Sequence, residues 1–120
     1  MLRMYTRVRV FLSIVPLIVP PNEKEGVMRE RVVEKALTKE VRKRGGIAFK
    51  FISPGMDGVP DRLVLMKDGR IAFVELKSPG KKLRPLQEKR KAQIEALGFK
   101  VFVIAYTEMI GAVLDEIQST

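Results

Sequence analysis

Two short apolar runs, Arg62-Leu-Val-Leu-Met66 and Ile71-Ala-Phe-Val-Glu-Leu-Lys77, flank Lys67-Asp-Gly-Arg70. An Asp-Gly pair between two such runs is a strong short-range hairpin signal, because both residues tolerate the positive φ that primed turns require. The hairpin constrains the chain beyond its own length. It sets the two strands antiparallel, so the start of the first lies beside the end of the second. Residues near 61 and residues near 75 to 77 must therefore meet at one end of a sheet.

The rest of the chain arranges itself around that unit. Residues 29–44 read as an amphipathic helix with Val33, Leu37 and Val41 on one face and Ala36 beside them, ended by Gly45-Gly46. Residues 47–52 read as a strand, followed by a loop of turn formers from Ser53 to Gly58. After the hairpin comes a loop over 78–84. Pro85 then suits the first turn of a helix to about Leu97, with Leu86, Arg90, Gln93, Ile94 and Leu97 as its inner side. Residues 100–106 form a fourth strand. Thr107 can cap a final helix that turns Ile110, Val113, Leu114 and Ile117 inward. The order is α-β-β-β-α-β-α, an α/β domain over residues 28–120 with a mixed central sheet flanked by helices. Phe49, Phe51, Phe73, Phe99 and Phe102 read as core, and no aromatic platform for stacking bases is evident. Residues 1–27 differ: an apolar stretch, Val10 to Val19, follows Arg3, Arg7 and Arg9. It is interrupted by Pro16 and too short for a membrane span. We read it as a weakly ordered or adventitious extension, with Met28 a candidate start, and expect no membrane association.

Composition narrows the chemistry. The 120 residues carry a net charge of +9, which favours a polyanionic partner, nucleic acid first. There is no cysteine and no histidine. Thiolate zinc sites, disulfides, histidine bases and Ser–His–Asp triads are therefore excluded. Carboxylates, lysine and a hard metal ion remain. The absence of cysteine fits a reducing cytoplasm, where we expect the protein to act.

The hairpin ends supply that set. Glu75 and Lys77 share one face of their strand, with Val74 and Leu76 on the other. Asp61 opens the preceding strand and falls beside them. Two carboxylates and a strand carbonyl, that of Leu76, can hold a divalent ion that polarises a phosphate, and a lysine can neutralise developing charge. Each residue alone would more often be a turn residue or a surface ion pair; the two motifs separated by one hairpin favour a site. Glu30, placed in the first turn of the first helix, faces the sheet, with Glu34 as its rival on that face. Gln87 lies early in the helix after the site and can hold a water or a phosphate. Lys50, Arg62, Lys81, Lys82 and Arg84 are the candidate phosphate contacts, the loop Lys81-Lys82-x-Arg84 foremost.

Taken in order, Glu30, Gly45-Gly46, Ser53-Pro-Gly, Gly58-Val-Pro-Asp-Arg62, Phe73-Val-Glu-Leu-Lys-Ser-Pro79, Leu86-Gln87 and Gly98-Phe99 closely resemble the VRR-Nuc family, the virus-type replication-repair nucleases of the PD-(D/E)xK superfamily. The resemblance spans about Met28 to Tyr106. It implies a restriction-endonuclease-like core, Mg²⁺ or Mn²⁺ dependence and cleavage of DNA phosphodiesters. It implies metal-binding roles for Asp61 and Glu75, a catalytic role for Lys77, and supporting roles for Glu30 and Gln87. Small stand-alone members resemble phage or bacterial proteins that act as homodimers on branched DNA such as four-way (Holliday) junctions. For that pairing, Phe102, Val103, Ile104, Met109 and Ile110 are candidate surface. The rival readings are a flap or duplex nuclease and a DNA-binding protein that kept the fold without the activity. A broken Asp/Glu/Lys set would mark the second, and here the set is intact.

Overall fold

The computed structural model describes residues 22–119, and most of the extension expected over residues 1–27 lies outside them. The element order is the expected one. Helix α1 (Glu23–Lys43) is followed by β1 (Ile47–Lys50), β2 (Arg62–Met66), β3 (Arg70–Leu76), α2 (Pro85–Ala96), β4 (Lys100–Ile104) and α3 (Ile110–Gln118). The sheet runs β1-β2-β3-β4, antiparallel across the first three strands and parallel between β3 and β4. Asp68 in the β2–β3 turn adopts φ 64°, as a tight hairpin turn requires.

Helix α1 starts at Glu23, not at residue 29. Asn22 caps it, its Oδ1 accepting from Glu25 N at 2.9 Å, and Glu23 and Glu25 lie in the first turn. The break in pattern at Gly26 hides this start in the sequence. Gly26 is buried, and a Cβ there would lie 2.7 Å from Ser78 Oγ, so close approach rather than helix breaking explains the residue. Glu30 consequently sits about two turns into the helix rather than in its first turn.

Val33, Leu37 and Val41 of α1 pack with Ile110, Val113, Leu114 and Ile117 of α3 against Val64, Met66, Ala72, Val74, Leu76, Phe102 and Ile104 on one sheet face. This is the core. Arg44 clamps the two helices, its Nη1 donating to Asp115 at 2.7 Å and to Gln118 at 2.9 Å. Lys100 and Glu116 form a mostly buried ion pair at 3.0 Å. The last helix is entered through a 3₁₀ turn, Thr107–Met109, and Thr107 does not cap it.

The opposite sheet face departs from expectation. Helix α2 lies over β4, and Gln87 is its one buried residue. The expected inner residues Leu86 and Leu97 are exposed, Leu97 at 77%. The face of β1 and β2 beyond α2 is left uncovered. Ile47, Phe49, Ile71 and Phe99 are exposed there, and Phe51 and Phe73 only half-buried. Of the five phenylalanines expected in the core, Phe102 alone is buried. Phe51, Phe73 and Phe99 form an outer row, with ring centroids 5.6 Å apart for Phe51–Phe73 and 6.1 Å for Phe73–Phe99. Strand alternation explains the split: Phe49 and Phe73 have the opposite parity to the core residues Ala48 and Val74.

Candidate active site

The antiparallel register brings Asp61 to the end of β3. Arg62 faces Val74, so the chain just before β2 runs alongside Glu75 and Leu76. Asp61 Oδ2 accepts from Leu76 N at 2.7 Å, which replaces a ladder bond by a side-chain one and fixes the carboxylate. Extending the register puts Pro60 opposite Leu76. Proline has no N–H, so it cannot close the ladder onto the Leu76 carbonyl. Leu76 and Asp61 line a pocket of about 190 Å³ with Val27, Glu30, Arg31 and Glu34.

Glu75 is 4% exposed and hydrogen-bonded to Asp61. Burial, then the hydrogen bond and the negative charge of Asp61, push its carboxyl up to about 9, against the pull of Lys77 and Arg84. The Glu75 carboxyl is therefore held toward its protonated form at neutral pH. Lys77 continues the strand on the same side, its N–H bonded to the Ile104 carbonyl at 3.1 Å.

Glu30 reaches the same pocket from α1. Its Oε1 accepts from Ser78 N at 2.9 Å and from Ser78 Oγ at 2.8 Å, so the residue after Lys77 holds it. Ser78 is buried and was not singled out from the sequence; its position directly after the Glu-Leu-Lys run is the one signal available. Gln87 is buried, and its Oε1 accepts from Arg84 N at 2.9 Å, which caps α2 and leaves its amide donors for other partners. Among the described residues no three acidic side chains converge as one metal-binding group. The donors are two carboxylates and a main-chain carbonyl, with Glu30 tied to Ser78. That set suits a hard divalent ion such as Mg²⁺, which commonly takes one or two protein carboxylates and completes its shell from water and substrate phosphate.

The candidate phosphate contacts divide. Lys50, Lys81, Lys82 and Arg84 are exposed. Arg62 is not free to reach a phosphate. Its Nη2 lies 3.3 Å from Glu34 Oε2 and its Nη1 donates to the Ala48 carbonyl at 3.0 Å, so it ties α1 to the sheet. Glu34, the rival to Glu30, is thereby engaged as well.

The loop before Asp61 is seated on α2. Gly58 has φ 85°, and a Cβ there would lie 2.7 Å from the Leu86 carbonyl oxygen. Gly58→Ala is therefore both strained and overpacked. We expect a loss of about 1–3 kcal/mol in urea unfolding, with a drop in activity from displacement of Asp61. An unchanged midpoint would show that the loop can rearrange freely.

No protein-family model matches the chain. "Putative nuclease p44" of Acyrthosiphon pisum secondary endosymbiont phage 1 is 54% identical over 78 residues, 65% of this chain and 84% of that protein. A solved VRR_NUC domain aligns with a TM-score of 0.69 at 28% identity, covering 72% of this chain and 95% of that one. The mixed sheet, the carboxyl pair at the hairpin mouth and these two likenesses agree: the chain belongs to the VRR-Nuc family of nucleases.

Proposed function

We propose that the protein is a metal-dependent DNA endonuclease, structure-selective for branched DNA such as four-way junctions. The observation that carries this reading is the juxtaposition of Asp61 and buried Glu75 at the hairpin mouth beside Lys77, next to a Leu76 carbonyl that Pro60 cannot bond. Mg²⁺ or Mn²⁺, held by Asp61, Glu75 and that carbonyl, would supply Lewis acidity toward a phosphodiester. The chain's own residues do the rest. The Leu76 N–H orients Asp61, and Ser78 orients Glu30. Lys77 offers a cation to charge developing on the phosphate oxygens. Lys50, Lys81, Lys82 and Arg84 position the backbone. Among the described residues no helix is long and apolar enough to cross a membrane, and we place the activity in the cytoplasm, where Mg²⁺ and DNA are available.

Pairing of opposed nicks calls for two sites related by a two-fold axis, hence a homodimer. The surface first considered for it does not serve: Phe102, Ile104, Met109 and Ile110 are buried core, and Val103 is half-buried. The uncovered face bearing Ile47, Phe49, Ile71 and Phe99 fits the role better.

The deciding experiment incubates the protein with labelled duplex, flap, splayed and four-way DNA, with and without Mg²⁺ or Mn²⁺. Cleavage requiring metal and fastest on the four-way substrate is expected, with a dimer in sedimentation equilibrium. No cleavage of any substrate with either metal would overturn the activity. A monomer that nicks one strand would overturn the dimer.

A further inference from the structure

Beside the Asp61 pocket lies a second, larger groove of about 500 Å³, lined by Glu34, Lys35, Thr38, Lys39, Arg42 and Arg62. Glu34 lines both, so the groove adjoins the site. Its charge is unbalanced. Glu34 is engaged by Arg62 at 3.3 Å and Glu40 by Arg44 at 3.2 Å. Lys35, Lys39 and Arg42 are exposed, and none takes part in an ion pair among the described residues. Lys35 and Lys39 stand four residues apart on one helix face, an arrangement of like charges that disfavours the free helix. An ordinary solvated helix face would interleave acids with these cations. Here the acids on this stretch of α1 are turned to other partners.

We infer that this groove binds the phosphate backbone of duplex DNA leading away from the cleaved bond, with Lys35, Lys39 and Arg42 as its contacts. The dimensions suit it. From Lys35 to Arg42 the helix advances about 10 Å, the length of about three nucleotide steps of one strand at about 3.4 Å each. The groove runs along α1 beside the site, and Lys50, exposed on β1 opposite Arg62, flanks its Asp61 end. This inference rests on the proposed nuclease reading and adds the direction in which the substrate runs.

The test compares two double variants with the same change in net charge. Lys35→Gln with Lys39→Gln neutralises the groove. Lys89→Gln with Lys91→Gln neutralises two lysines of α2, which packs over β4, away from the groove along α1. Binding to a labelled duplex is measured by anisotropy in EDTA across a salt series, and melting curves confirm that both variants are folded. The groove pair should bind about tenfold or more weakly near 0.1 M salt, with a plot of log affinity against log salt shallower by about 1.8. The control pair should stay close to wild type. If wild type binds and cleaves DNA but the two pairs weaken binding equally, or neither does, the groove is wrong and the active site stands. If wild type neither binds nor cleaves any DNA, the nuclease reading falls and takes the groove with it.

Discussion

Asp61→Asn and Lys77→Ala should each lower DNA cleavage by at least about 10³-fold while leaving a folded protein that still binds DNA. The asparagine replacement matters because Asp61 has two roles. Its Oδ2 accepts from Leu76 N at 2.7 Å. Removing that acceptor with alanine would strand a backbone donor and cost about 1–3 kcal/mol, mixing a folding defect with a chemical one. An asparagine carbonyl can still accept the bond, so the chemical loss is isolated. Lys77 is free of such a duty on the side chain, and its backbone bond to Ile104 survives truncation. Single-turnover cleavage in Mg²⁺, with anisotropy in EDTA for binding, checks both variants. Wild-type turnover by either one would remove Asp61 or Lys77 from the site.

The second large effect is on pH-dependent stability. Glu75 is raised from an ordinary 4.5 to about 9 by burial and by Asp61. Between those values the folded chain holds a proton that the unfolded chain has released. The stability contributed by neutral Glu75 is therefore complete below about 4.5 and is lost as pH rises toward about 9. The slope approaches one proton, about 1.4 kcal/mol per pH unit at most. Metal-free protein should unfold at steadily lower urea from pH 5 to pH 9. Glu75→Gln, a permanently neutral group of the same shape, should flatten that slope and lose cleavage. Added Mg²⁺ or Mn²⁺ should stabilise wild type more at pH 8.5 than at pH 6, because ligation must displace the proton on Glu75. An identical slope in Glu75→Gln would show that Glu75 does not titrate as inferred.

What could be read from the sequence follows from which interactions are local. The hairpin, the helix end at Gly45-Gly46 and the element order all rest on spacing within a few residues, and the structure reproduces them. Asp61 and Glu75 meet because a hairpin converts sequence separation into register. The start of α1 was misplaced by a glycine whose reason lies far along the chain, at Ser78. The same distance hid the grip of Ser78 on Glu30 and the pairing of Arg62 with Glu34, since each joins a helix to a strand end or loop remote in sequence. The phenylalanines misled for another reason. Residues of β3 are apolar on both faces, so hydrophobicity could not say which face a helix covers, and α2 covers only the part over β4.

The connection lengths on the two sides of β3 also order events in time. Its antiparallel partner is reached through the three residues Lys67–Gly69, whereas its parallel partner β4 must wait for the whole of α2 to be placed. Hairpins close in about 1–10 μs, and non-local pairings carry a larger loop-closure cost. Asp61 and Glu75 are thus joined by the pairing with the smallest closure cost in the sheet, ahead of the crossover that seats β4. The carboxyl pair of the site is therefore set by the most local pairing in the sheet, and the longer crossover adds the remaining strand to a site whose geometry the hairpin has already chosen.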